Sequence, residues 1–138
     1  MRTLILTIVA ASCLASVALA ESKEPTAQVE TLVKRLETGK LDGVFADFFT
    51  GSLVGQQKEM QVRAMDGQAK AAFEFYGRAT DHEIVETKKM GNSLVRIKWI
   101  TKHKGDAPLF WNALFYRRND KWEPLTIVFF DDPDKAGF

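Results

Sequence analysis

The first half of the chain, from residue 26 onward, has apolar positions at helical spacing. In residues 26–38 they fall at Val29, Leu32, Val33 and Leu36, which share one face of a helix. The same spacing returns twice before residue 77, and a glycine follows each apolar stretch as a stop signal. The pattern predicts three helices, over 26–38, 41–50 and about 56–76.

The second half of the chain changes to a strand-like pattern. It is rich in Val, Ile, Trp, Phe, Tyr and Thr, and turn-forming pairs recur at even spacing: Gly91-Asn92, Gly105-Asp106 and Asn119-Asp120. This predicts four strands, near 82–90, 93–104, 108–118 and 121–131. Helices followed by strands predict an α+β fold, with N-terminal helices packed on one face of a curved antiparallel four-stranded meander.

The register of the strands follows if each turn is a two-residue hairpin. Trp99 then lies opposite Asn112, and Asn112 opposite Ile127, so the three share a face. The face expected to meet the helices holds Val95, Ile97, Trp99, Phe110, Leu114, Leu125, Ile127 and Phe129, with Asn112 at its centre. A slip of one residue would move a strand's side chains to the opposite face.

An amide among apolar side chains has two interpretations. Asn112 either bonds to neighbouring backbone and helps to fix the packing, or offers a donor and an acceptor to a ligand in an apolar pocket. The second interpretation gives a candidate ligand-binding set of Tyr76, Trp99, Asn112 and Tyr116.

The opposite face of the predicted sheet carries the aromatic residues Trp111, Phe115 and Trp122. If they are exposed, they form a patch large enough to need a partner, and an isologous homodimer is the favoured partner. The alternative is that long basic side chains on the same face lie across the rings and shield them.

The N-terminus has the layout of a secretory signal peptide. Arg2 precedes an apolar run that ends in small residues at Ala18-Leu19-Ala20, which predicts a signal peptide over 1–20 and one domain over 21–138. A lipoprotein signal ending at Cys13 is the weaker interpretation, because the residues that follow Cys13 remain apolar. The expected location is periplasmic or secreted, with no membrane attachment after cleavage.

Removal of the signal peptide changes the composition. The loss of Arg2 leaves 18 basic side chains against 18 acidic ones, and the loss of Cys13 leaves no cysteine. A neutral chain without a basic stripe excludes nucleic acid as the expected partner, and a chain without cysteine must fold without disulfides.

Residues able to carry acid–base or metal chemistry are few. His82 and His103 are predicted to be diagonal neighbours on one face, but no third ligand is evident, so no metal and no cofactor is expected. If the domain were an enzyme, Glu86, placed opposite Ile97, or Asp47 would be the candidate base.

The element order and the closing hairpin from Phe115 to Phe130, with Lys121-Trp122 after a short turn, carry a family resemblance. The chain resembles an exported bacterial member of the nuclear transport factor 2-like (ketosteroid isomerase-like) superfamily, which has a cone-shaped, cystatin-like α+β fold. The resemblance implies a bent sheet around a long helix, with a cavity at the open end. Members include enzymes, ligand binders and dimerising domains, and the isomerase set of an Asp base with a Tyr and a protonated acid is not matched here.

Three functions therefore stay open. The leading hypothesis is a non-catalytic domain that binds a small apolar ligand or a protein partner. The alternatives are an isomerase-like or hydrolase-like enzyme with a carboxylate base in the cavity, and a purely structural dimerisation module.

Overall fold

Helices precede strands in the computed structural model of the chain, which describes residues 23–138. The predicted signal peptide over 1–20 lies outside the described residues. The elements are α1 (Pro25–Glu37), α2 (Val44–Phe48), α3 (Leu53–Gln57), α4 (Glu59–Tyr76), β1 (Ala79–Met90), β2 (Leu94–His103), β3 (Pro108–Arg118), β4 (Lys121–Phe130) and α5 (Pro133–Ala136). No helix within residues 23–138 combines the length and the apolar character needed to cross a membrane.

The three predicted helices are confirmed, and two short helices, α3 and α5, are additional. The stretch predicted as the start of a long helix is a separate short helix, α3, whose first turn is capped by Ser52: its hydroxyl oxygen accepts a hydrogen bond from Gly55 N at 3.0 Å. Gly55 is required there because a Cβ atom would lie 2.3 Å from the carbonyl oxygen of Phe49. α4 then runs without a break to Gly77, as predicted.

The four strands form one antiparallel sheet in the order β1-β2-β3-β4, which confirms the predicted meander. The sheet is curved and unclosed, and helices α1 to α4 lie on one face of it, called here the inner face. Its buried side chains are Val95, Ile97, Trp99, Thr101, His103, Leu109, Trp111, Ala113, Phe115 and Ile127.

The predicted register is wrong for β3. Trp99 lies opposite Trp111, not Asn112, because the β2–β3 connection is longer than a two-residue hairpin and the last pair is Lys102 with Pro108. The shift of one residue reverses β3, since successive side chains of a strand point to opposite faces. Phe110, Asn112 and Leu114 therefore lie on the outer face.

β4 nevertheless presents two of its three predicted core residues, Ile127 and Phe129, to the core, whereas Leu125 forms a bulge. Its turn has the predicted two residues, Asn119 and Asp120, both with the positive φ that favours tight hairpins. A bulge at Leu125, between the pairs of Leu114 and Phe115, then shifts the register by one residue. The β2–β3 connection shifts the register by one residue from the predicted one, and the bulge shifts it by one residue again. Ile127 therefore still points inward, as predicted.

The C-terminal segment packs on the outer face of the sheet. Asn112 Nδ2 donates a hydrogen bond to Ala136 O at 2.9 Å, and the rings of Phe110 and Phe138 lie 5.2 Å apart. The amide singled out by the sequence is therefore a half-buried residue that attaches the C-terminal turn to β3.

Candidate functional site

The four predicted ligand-binding residues do not line a common cavity. Trp99 is fully buried on the inner face, where its ring stacks on Trp111 at 5.6 Å, whereas Asn112 and Tyr116 lie on the outer face. Tyr76 ends α4, and its hydroxyl donates to Asp131 Oδ2 at 2.7 Å, a hydrogen bond that raises the pKa of the phenol. The expectation of one cavity lined by these four side chains is therefore wrong.

The predicted dimer patch also has the wrong members. Trp111 and Phe115 are fully buried among the helices, because the register of β3 is reversed, and only Trp122 is partly accessible. These residues cannot form an exposed surface together. The homodimer itself stays a prediction, and another set of side chains must carry it.

The interior contains a chain of hydrogen bonds that sequence reasoning missed. Trp111 Nε1 donates to Thr101 Oγ1 at 2.9 Å, and Thr101 lies 2.8 Å from His103 Nε2. His103 Nδ1 lies 2.8 Å from Gly77 O. Because a carbonyl oxygen can only accept, Nδ1 carries the proton and Nε2 accepts from the threonine hydroxyl.

In this series of hydrogen bonds, the polar side-chain atoms of Trp111, Thr101 and His103 all have partners. Burial of His103 lowers its pKa, so the ring is held neutral, and every polar atom of the chain has a partner within it. Phe73 closes one side of the imidazole at 4.8 Å, edge to face. The arrangement fixes the end of α4 against β2 and leaves no free group for a ligand. Polar residues on the apolar periodicity of β2, at 101 and 103, were the available signal for it.

A second histidine joins β1 to α1. His82 Nδ1 lies 2.7 Å from Glu37 Oε1, and His82 Nε2 lies 2.8 Å from Glu30 Oε2. Burial of the ring lowers its pKa, but hydrogen bonds to Glu37 and Glu30 and their charges outweigh that effect, and the net pKa is raised. His82 and His103 are diagonal neighbours on one face, as predicted, yet they have separate sets of partners.

The carboxylates suggested as catalytic bases are in contact with water. Glu86 lies opposite Lys98 on the outer face, not opposite Ile97, because β1 has a bulge at Val85; its carboxylate is 3.9 Å from the ammonium group. Asp47 is largely exposed and pairs with Arg35. Neither has the apolar burial that would tune a carboxyl group for proton transfer.

A third carboxylate, that of Glu123 on β4, is buried and held by hydrogen bonds to both of its oxygens. Arg118 donates to its two oxygens at 2.9 and 3.0 Å, and the backbone N–H of Leu53 lies 3.3 Å from Oε1. Glu123 therefore attaches the start of α3 to β4. A carboxylate held by a bidentate arginine is a structural group and not a free base.

A groove of about 320 Å³ lies between α1 and α2. Leu32, Val44 and Phe48 form its apolar floor, and Arg35 and Asp47 lie at its rim. The volume falls at the lower end of small-molecule pockets, about 300–1,000 Å³. The two rim charges, Arg35 and Asp47, pair with each other. The remaining polar side chains that line the groove are Lys23, Gln28, Thr31 and Thr50.

Exposed apolar side chains also lie together on the outer face of the sheet, apart from the single exposed residues Met60 and Phe75 of α4. Tyr116, Val128, Phe130 and Phe138 are 37%, 42%, 37% and 37% exposed, and they surround the half-buried Phe110 and Leu114. These six side chains are called here the outer patch.

The β1–β2 half of the same face is charged, and the charges differ along the strands. Lys88 and Arg96 lie opposite each other at one end, Glu86 and Lys98 follow, and Glu83 lies beyond them. Arg96 Nε is buried and has no hydrogen-bond partner among residues 23–138. One end of this half is therefore basic. At the other end lies Glu83, whose carboxylate has no ion pair among residues 23–138.

Comparison with known proteins gives a match in structure but not in sequence. No known protein family matches the chain, and no curated protein does. A solved structure that matches is that of a proposed NTF2-like transpeptidase from Campylobacter jejuni, with a TM-score of 0.57 and 15% sequence identity; the match covers 75% of this chain and 99% of that one.

The likeness shows an NTF2-like fold over three quarters of the chain and leaves the activity open, because one fold hosts many unrelated functions. The predicted fold class is confirmed: helices followed by a curved, unclosed, four-stranded antiparallel sheet. A fold of this kind fits a small ligand-binding or enzyme-like domain.

Proposed function

We propose that this protein is a non-catalytic binding domain that forms a homodimer through the outer face of its sheet. The observation that carries the proposal is the outer patch, in which four large apolar side chains are each more than a third exposed. Contiguous exposed apolar surface on a soluble domain is the usual mark of a partner site.

The size of the face fits a dimer interface. Four strands about 4.8 Å apart, with about 3.4 Å per residue along an eleven-residue strand, give a face of roughly 700 Å². A standard interface takes about 800 Å² from each partner. One sheet face, together with the C-terminal residue Phe138 that packs on it, is therefore enough for a specific contact.

The charges on the face favour a second copy as the partner. A two-fold axis that lies in the interface and crosses the strands would place the basic end of one copy over the acidic end of the other. Arg96 would then approach Glu83 of the other copy. The equal numbers of basic and acidic side chains after residue 20 also give no net charge to oppose self-association.

The alternatives have weaker support. An apolar ligand inside the fold would compete with rings that already pack on one another, such as Trp99, Trp111 and Phe129. An enzyme would need a carboxylate in an apolar site, and Glu86 and Asp47 are exposed and paired with cations. We place the domain outside the cytoplasm, because the N-terminal 20 residues have the pattern of an export signal.

Sedimentation equilibrium tests the proposal. The wild-type chain is expected to be a dimer in the micromolar range, and Val128→Glu and Phe130→Glu are expected to give monomers, since each would bury a charge in the interface. Met60→Glu is the matched control: Met60 is also exposed, at 85%, but lies on α4, away from the outer face of the sheet. That variant should stay dimeric.

A charge exchange tests whether the partner is a second copy. Arg96→Glu and Glu83→Arg are each expected to weaken the dimer, and the double variant to restore it, because the pair is re-formed with reversed signs across the two-fold axis. A monomeric wild-type protein, or a dimer that Val128→Glu leaves unchanged, would reject the outer face as the interface.

A further inference from the structure

Four side chains from α1 and β1 form a compact cluster at the edge of the sheet. Glu30 and Glu37 come from α1, and Asp81 and His82 are neighbours on β1. One possible ligand atom from each of Glu37, Asp81 and His82 lies within 4.8 Å of the other two. The cluster lies apart from the outer patch and does not depend on the proposed dimer.

We propose that Glu37, Asp81 and His82 bind one divalent first-row transition metal ion through His82 Nδ1 and the two carboxylates. Glu30 completes the site without touching the ion. Its carboxylate lies 2.8 Å from His82 Nε2, where it accepts the second N–H of the ring. Histidines that ligate metals regularly donate their other N–H to a carboxylate, which fixes the tautomer and makes the free nitrogen a better ligand.

The donor set selects the class of ion. One imidazole nitrogen and two carboxylate oxygens, without a thiolate, suit Zn²⁺, Mn²⁺ or Co²⁺, whereas Ca²⁺ and Mg²⁺ prefer oxygen ligands alone. Zn²⁺ binds such atoms at about 2.0–2.2 Å, which sets tetrahedral ligand atoms roughly 3.3 Å apart. Glu37 Oε1 is already 2.7 Å from His82 Nδ1, so Asp81 is the side chain that must move closer.

Asp81 is free to make that movement. Its carboxylate is 65% exposed and 3.8 Å from the ammonium group of Lys102, which is itself half-exposed. An exposed pair of this kind contributes little and gives way readily to a divalent cation. The backbone N–H of His82 donates to Asp81 Oδ1 at 2.8 Å, which keeps the carboxylate beside the ring.

The bound ion would link the first helix to the edge strand. α1 carries Glu37 at its last turn, and β1 carries Asp81 and His82 near its start. An ion that binds the folded chain and not the unfolded chain raises the unfolding temperature, and the rise grows with the logarithm of the ion concentration relative to Kd. The expected role is therefore a structural metal site with open positions for water.

The test is titration of the chelator-stripped protein, residues 21–138, with Zn²⁺ by calorimetry and with Co²⁺ by visible absorption. One ion per chain is expected to bind with micromolar affinity, with a rise of the unfolding temperature and a shift of the His82 Nδ1 resonance in nitrogen NMR. Glu37→Gln and Asp81→Asn should each weaken binding at least about tenfold, and Glu30→Gln should weaken it about tenfold or more while one ion still binds.

Glu74→Gln is the control, since Glu74 is an exposed carboxylate on α4 and lies outside both the cluster and the outer face of the sheet. It should bind Zn²⁺ like the wild type. Absence of binding at millimolar Zn²⁺, or equal affinity in wild type, Glu37→Gln and Asp81→Asn, would overturn the proposal. Because the outer patch is untouched by these variants, the oligomeric state gives a separate reading of the proposed dimer.

Discussion

His82 and His103 are close on the inner face of the sheet, yet their surroundings shift their pKa values in opposite directions. Two carboxylates stabilise the charged form of His82, whereas burial against Phe73 and a threonine hydroxyl stabilises the neutral form of His103. The difference arises from what each ring faces. α1 presents glutamates to β1, and the end of α4 presents an aromatic ring and a carbonyl group to β2.

The lowered pKa of His103 predicts a loss of stability in mild acid. The unfolded chain takes up a proton near pH 6.5, the ordinary value, whereas the folded chain does so only at lower pH. The contribution of His103 is therefore fully present above pH 6.5 and decreases as the pH falls from 6.5 towards the folded pKa. The free-energy difference between wild type and His103→Gln, from urea unfolding, should decrease over this range.

NMR titration of the His103 ring protons provides the direct check. A folded-state pKa below that of a histidine in an unstructured peptide is expected. Thr101→Val should raise that pKa, because it removes the hydroxyl that donates to Nε2 of the neutral ring and so stabilises the uncharged form. A folded pKa of His103 at or above the peptide value would contradict the assignment.

At the scale of elements, the order and type of the helices and strands could be predicted from periodicity. Which side chains of β3 point towards the helices could not be predicted. Turn residues mark where a connection lies. Which face each side chain of the next strand occupies depends on whether the number of unpaired residues in that connection is odd or even. The odd length of the Gly105-Asp106 connection and the bulge at Leu125 are set by packing. An amide at the centre of the predicted core was the available warning, because burying Asn112 costs more than burying Ala113.

The candidate sites divide in the same way. The closeness of His82 and His103 could be predicted, because both lie on neighbouring strands whose first turn was marked. The contacts of His82 with Glu30 and Glu37 could not, since they depend on how α1 lies across β1, more than 40 positions away in the chain. The outer patch could not be predicted either, because its β3 members were assigned to the inner face by the same one-residue shift in register.

Two adjacent aromatic residues of β3 test its facing. Trp111→Ala should lower the free energy of unfolding by about 3–5 kcal/mol, because it opens a cavity and leaves Thr101 with one partner fewer. Phe110→Ala should lower it by about 1 kcal/mol, since this ring is half-buried under Phe138. Urea unfolding followed by circular dichroism measures both. A larger loss for Phe110→Ala than for Trp111→Ala would mean that β3 faces the other way.

At the scale of the whole molecule, the core alone must stabilise residues 21–138. The sole cysteine, Cys13, lies in the segment predicted to be removed, so no disulfide can form in the exported chain. The stability then rests on the aromatic layer between helices and sheet, centred on Trp111, which contacts Phe45 at 6.3 Å and Phe129 at 4.6 Å.

Processing of the complete chain is the prediction at this scale. Expression in a Gram-negative host should yield a periplasmic protein whose N-terminus is Glu21, because Ala18-Leu19-Ala20 has the small residues that signal peptidase requires. Ala18→Arg should leave the leader attached, while Thr26→Arg, beyond the cleavage site, should be processed normally. Intact mass and N-terminal sequencing distinguish the outcomes. A lipid-modified N-terminus at Cys13 would establish the lipoprotein alternative, and a full-length chain in the cytoplasm would remove the basis for placing the domain outside it.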